Sequence, residues 1–84
     1  MLKIIDDYEP SREELQKLVG GHIEVMSLSN GDSLVINENG RMENFRRKIQ
    51  KHNNEATKIY HANGGMRKMN IVGMAVLVKK GLMV

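Results

Sequence analysis

The spacing of apolar and polar side chains changes period several times along the chain. Leu2-Lys3-Ile4-Ile5 is a short apolar-rich run that predicts a strand, and Glu9-Pro10-Ser11 breaks it. Ser11-Arg12-Glu13-Glu14 has the form of a capping box, in which the Ser11 hydroxyl accepts from the Glu14 amide and Glu14 reaches back. Leu15, Leu18 and Val19 follow at helical spacing, and Gly20-Gly21 supplies a residue that takes the left-handed conformation cheaply. These signals predict a helix over 12–19.

Residues 22–28 and 33–37 are β-rich runs that flank Asn30-Gly31. Asn-Gly between such runs predicts a two-residue type I′ hairpin. That turn sets Ser29 opposite Asp32. Ile23, Val25, Leu34 and Ile36 then form one core layer. The other face carries His22, Glu24, Met26 and Leu28 with Ser33, Val35, Asn37 and Asn39, so that Glu24 stands across from Asn37 and His22 across from Asn39.

Residues 41–52 are basic, and Met42, Phe45 and Ile49 lie on one helical stripe. Asn53-Asn54 interrupts that stripe and caps a second helix over 55–61, with Ala56, Ile59 and Tyr60 inward and Asn63-Gly64-Gly65 as its stop. The alternative is one long helix, because positions 42, 45, 49, 52, 56 and 59 keep a heptad rhythm. Residues 66–70 read as a basic loop. Residues 71–78 are apolar on both faces and predict a central strand, with Gly73 marking a bulge or a close backbone approach. Together these elements predict one α+β domain over 1–84. Its small antiparallel sheet holds the hairpin 22–37 and strands near 2–5 and 71–78, with two or three helices on one side.

Composition narrows the functional classes. Without cysteine there are no disulfides and no thiolate metal sites. Residues 1–40 carry three Lys or Arg against eight acids, whereas residues 41–84 carry ten against two. The charge is therefore dipolar, and the basic half suits an acidic partner. The start of the chain meets Asp6-Asp7 at once, unlike a signal peptide, and no apolar run reaches the ~18 residues of a membrane span. A cytoplasmic protein that uses no membrane is expected, and its small size leaves room for a homo-oligomer.

Four clusters stand in order: Val19-Gly20-Gly21-His22-Ile23-Glu24, Asn37-Glu38-Asn39-Gly40, Asn54-Glu55-Ala56-Thr57 and Ile71-Val72-Gly73. In order and spacing they resemble a family of small uncharacterised proteins of phages, plasmids and bacteria, a domain of unknown function. The likeness covers about residues 15–78. His22 stands where the family more often has Tyr, and Met74 where it often has an acid or amide. The resemblance implies a phage or mobile-element accessory protein and implies no chemistry.

Three functions are carried forward. The first is non-enzymatic binding of a host or phage protein. The second is nucleic-acid binding through Arg46, Arg47, Lys48 and Lys51, joined by Arg41, Lys58, Arg67 and Lys68. Aromatics are too scarce there for base stacking. The third is a small-ligand site built from His22, Glu24, Asn37 and Asn39, with Asn54 and Thr57 at a helix start. The same residues also read as an exposed cross-strand pair, a strand-end turn and an N-cap at Asn54. No cofactor is expected. His22 and Glu24 would offer two metal ligands without a third, and neither a nucleophile elbow nor a phosphate loop is present.

Overall fold

The computed structural model describes residues 1–43 and 52–83. It contains strand β1 (Leu2–Ile5), helix α1 (Arg12–Val19), strands β2 (Ile23–Ser27), β3 (Ser33–Asn37) and β4 (Arg41–Glu43), helix α2 (Asn54–Ala62), and strands β5 (Met69–Ile71) and β6 (Ala75–Val78). The α+β class expected from the sequence is the class observed. The main sheet has the order β1-β6-β3-β2, and β4 and β5 form a separate two-stranded sheet. The main sheet is mixed, not purely antiparallel, because β1 runs parallel to β6.

Local signals placed α1. Ser11 is extended and its Oγ accepts from the Glu14 amide at 3.1 Å, which satisfies one of the orphan donors of the first turn. The Glu14 carboxylate accepts from the Tyr8 hydroxyl. Gly20 closes the helix in the left-handed conformation, and its amide donates to Gln16 O at 2.9 Å.

The two helices lie on opposite faces of the sheet, which corrects the expectation of helices on one side. Leu15 and Val19 of α1 join Ile5, Val35, Val76 and Val78 in one core. Ala56 and Tyr60 of α2 join Met26, Leu34, Ile36, Ile71, Ala75 and Leu77 in another. Each fully buried aliphatic side chain contributes about 1.5–3 kcal/mol, so covering both faces is what stabilises so short a chain.

The hairpin register is displaced by one residue from expectation. Ile23 pairs with Asn37, Glu24 with Ile36, Val25 with Val35 and Met26 with Leu34. Glu24 therefore does not oppose Asn37. Nor does His22 oppose Asn39; its carbonyl accepts from the Glu38 amide at 2.9 Å. The cause lies in the loop. Gly31 N donates to Leu28 O at 3.0 Å and Leu28 N to Asp32 O at 2.9 Å, so three residues bridge the strands instead of two. Gly31 has φ +96°, the left-handed residue that such a loop requires, and a Cβ there would also meet the Lys80 side chain at 2.9 Å. Leu34 and Ile36 consequently face α2, while Ile23 and Val25 face α1, and the expected common layer of these four does not form.

Asp32 holds this loop in place. Its buried carboxylate accepts from Lys79 Nζ at 3.0 Å, from the Lys80 amide at 2.8 Å and from Asn30 Nδ2 at 3.3 Å. The Lys79 hydrogen bond holds the Asp32 carboxyl below its ordinary pKa, against the opposing effect of burial, and the Lys80 amide and the Lys79 charge add to the lowering. A lowered folded-state value gives stability that is present above the unfolded value of about 4 and is lost as pH falls through the folded one. Asp32→Asn is expected to destabilise by roughly 1–3 kcal/mol at neutral pH. It should also flatten the acid limb of a urea-midpoint profile measured between about pH 2 and 5; an unchanged limb would show that Asp32 does not set it.

The apolar run 71–78 is two strands, not one. Gly73 takes φ +79° between β5 and β6, and the chain passes there from the small sheet to the main one. Residues 41–43, expected in a basic helix, are instead β4, which pairs with β5 through Arg41↔Ile71, Met42↔Asn70 and Glu43↔Met69. The remainder of that expected helix lies outside the described residues. A single long helix does not run into α2, because Asn53 is extended at φ −103°, ψ 96° and is itself the N-cap.

Candidate functional site

The structure separates the residues that the sequence grouped. Glu24 lies on the α2 face, where its carboxylate pairs with Arg41 Nη2 at 3.0 Å. Asn37 lies on the α1 face. Its Nδ2 donates to Val19 O at 3.2 Å and its Oδ1 accepts from the Asn39 amide at 2.9 Å, so it ties the end of β3 to the end of α1 and shapes its own turn. Gly40 completes that turn by close approach: a Cβ there would stand 2.9 Å from Asn37 O and 3.1 Å from Val72 O. Asn39 and the His22 side chain are exposed, as is Asn54 at the first turn of α2. Thr57 is buried and acts as a clip, its Oγ1 accepting from the Ile71 amide at 2.9 Å. Asn37 and Thr57 thus spend their polar atoms on the fold.

Arg46, Arg47, Lys48 and Lys51 lie outside the described residues. Of the other bases in that half of the chain, Arg41 is engaged by Glu24 and Lys79 by Asp32. Lys58, Arg67 and Lys68 are exposed. Among the described residues no three His, Asp or Glu side chains stand where they could hold a metal ion, and no helix is long and apolar enough to cross a membrane.

What the fold does present is an open strand edge. β2 is the last strand of the main sheet, and among the described residues it is hydrogen-bonded on one side only. The bonds Leu28 N to Asp32 O and Glu38 N to His22 O bracket its ladder to β3. Bonded and non-bonded residues alternate in an antiparallel pair, so the even-numbered residues of β2 carry that ladder. The N–H and C=O groups of Ile23, Val25 and Ser27 point away from β3, to the outside of the sheet. The side chains of Ile23 and Val25 line an open groove of about 390 Å³ together with Glu9, Pro10, Ser11, Arg12, Leu15 and Met83. Val25 is 41 % exposed although it sits in a strand.

Edge strands are usually blunted by lysine, proline, a bulge or a covering segment. The opposite edge, β1, carries Lys3 at its centre and runs into Asp6-Asp7. β2, Ile-Glu-Val-Met-Ser, has no lysine, no proline and an unbroken register with β3. Sequence reasoning passed over Val25 because an apolar residue in a strand reads as core. The only local sign was that no lysine or proline stands in 23–27.

These features define a small α+β domain with an edge strand, β2, beside an open groove of mixed polar and apolar lining. The chain belongs to the family described as Domain of unknown function (DUF3846), whose model matches residues 3–81. The four motifs had led to a family of this kind. Comparison with the curated proteins and with the solved structures gave no match.

Proposed function

We propose that this protein is a phage or mobile-element accessory protein that works in the host cytoplasm by binding a host or phage protein, and that the partner adds a strand along β2. The β2 edge, which no described strand covers and which holds no lysine or proline, is the observation that carries this reading. Strand addition draws affinity from main-chain hydrogen bonds, here to Ile23, Val25 and Ser27, and specificity from pockets that receive alternate side chains. The groove beside Ile23 and Val25 is such a pocket. The dipolar charge accords with a binding role.

The small-ligand alternative loses the geometry that motivated it, since Glu24 and Asn37 lie on opposite faces of the sheet. The nucleic-acid alternative rests on the basic 41–51 segment, of which 44–51 lie outside the described residues and Arg41 is engaged by Glu24.

Val25→Lys tests the proposal. Lysine on an edge strand opposes pairing with another chain, and at this exposed position it leaves the core intact. Wild-type protein immobilised in host lysate should retain a defined partner, and Val25→Lys of unchanged circular dichroism should retain roughly tenfold less of it or below. Equal capture by the two proteins would remove β2 from the binding surface.

A further inference from the structure

The same edge has a second property: it is complementary to itself. We propose that the occupant of the β2 edge in the free protein is a second copy of this chain, paired antiparallel about a twofold axis at Val25, so that two four-stranded sheets join into one of eight strands. The inference rests on the reading of β2 as a docking edge and names one partner for it.

Charge selects the register. Outward-facing residues must meet outward-facing residues, so Ile23, Val25 and Ser27 of one copy pair among themselves in the other. A shift that sets Ile23 opposite Val25 places Glu24 opposite Glu24 of the second copy, and like charges directly across strands are destabilising. The arrangement centred on Val25 avoids this. Val25 meets Val25, Ile23 meets Ser27, and Glu24 meets Met26, so all three outward residues are used and no charge faces its like. Each groove brings one acid, Glu9, and one base, Arg12, so the twofold joins grooves with no excess of either sign.

Closed twofold pairing also removes a hazard. A flat unguarded edge invites open-ended association, whereas an isologous pair consumes both edges at once. The remaining outer edge in the dimer would be β1 in both copies, the edge that carries Lys3. Burial of Val25, exposed in the single chain, adds apolar contact at the axis.

The test uses the full chain. Sedimentation equilibrium over a wide concentration range should give twice the monomer mass of 9.5 kDa, and Val25→Lys should weaken self-association by roughly tenfold or more. The sequence has no cysteine, so Val25→Cys is a clean reporter. Across a bonded antiparallel pair the Cα atoms stand about 5.5 Å apart, within the range of about 4.4–6.8 Å that a disulfide spans. Mild oxidation should link Val25→Cys into a dimer and leave Lys3→Cys, on the opposite edge, monomeric. A chain that is monomeric at high concentration overturns the inference. So does a dimer that Val25→Lys leaves unchanged, or one that cross-links through Lys3→Cys alone. If the chain is monomeric while Val25→Lys still abolishes capture of a host or phage protein, self-pairing fails and the proposed function stands. If the dimer forms as described while Val25→Lys captures the partner as well as wild type does, self-pairing stands and the proposed use of β2 for that partner fails.

Discussion

Asn53→Ala is expected to lower stability by about 2–4 kcal/mol, read as a shift of the urea midpoint, and to drop the melting temperature by about 10 °C or more, on the order of 4–8 °C per kcal/mol for a domain of this size. Asn53 is 1 % exposed. Its Nδ2 donates to Met1 O at 2.9 Å and to Gly73 O at 2.8 Å, and its Oδ1 accepts from the Ala56 amide at 3.0 Å. One side chain therefore joins the start of β1, the crossing between β5 and β6, and the first turn of α2. Alanine removes the cap, worth about 1 kcal/mol. It also removes the donor to Gly73 O, at about 1–3 kcal/mol if that carbonyl stays dry, whereas Met1 O keeps the Ala75 amide at 2.9 Å. A domain holds only about 0.05–0.15 kcal/mol per residue in total, so the change removes a large share. Asn53→Asp keeps the acceptor but turns a carboxylate towards two carbonyl oxygens, and should be no better than alanine. Asn54→Ala, one residue on and exposed, should stay within about 0.5 kcal/mol of wild type. A small effect at 53 and a large one at 54 would place the cap on the wrong asparagine.

Leu34→Ala and Val25→Ala form the second decisive comparison, because they read the hairpin register directly. The two-residue turn expected from Asn30-Gly31 would put both residues in one core layer, and both truncations would then cost alike. In the structure Leu34 is fully buried among Met26, Ala56, Tyr60 and Leu77, while Val25 is 41 % exposed on the sheet edge. Leu34→Ala should cost about 2–5 kcal/mol and Val25→Ala less than about 1 kcal/mol, measured by chemical denaturation of the monomer at low protein concentration. Nearly equal costs would restore the expected register and with it the pairing of Glu24 and Asn37.

Why the register escaped the sequence is a matter of how much the pattern constrains. Alternation fixes a strand only when one face is wet. Leu34-Val35-Ile36 is apolar at every position and all three side chains are buried, because α1 covers one face and α2 the other. A one-residue slip then costs nothing that can be read along the chain. The turn decides it, and that turn is held by Asp32 through Lys79 and Lys80, 47 and 48 residues away. The expected Glu24–Asn37 site depended on that register and was lost with it.

The ends of α1 were legible because Ser11 and Gly20 act on their own helix through hydrogen bonds three or four residues long. Strand β1 and the end of β3 at Asn37 were legible from composition and breakers alone, Pro10 after the first and Asn37-Glu38-Asn39-Gly40 after the second, although their hydrogen bonds are long-range. The division of 71–78 was not. A continuous apolar run looks the same whether it lies in one sheet or passes between two, and only the left-handed turn at Gly73 with its long-range partners separates β5 from β6.

By itself the sequence determined the α+β class, the position and caps of α1, the existence of the hairpin and the family to which the chain belongs. Tertiary structure alone decided the register, the two-sided core, the role of Asn53 as a knot between three segments, and the exposure of Val25. The first group depends on bonds and periodicities within a few residues. The second depends on which strand lies beside which. An apolar valine in a strand becomes core or edge according to whether a neighbour is laid next to it, and among the described residues β2 has no strand on its outer side.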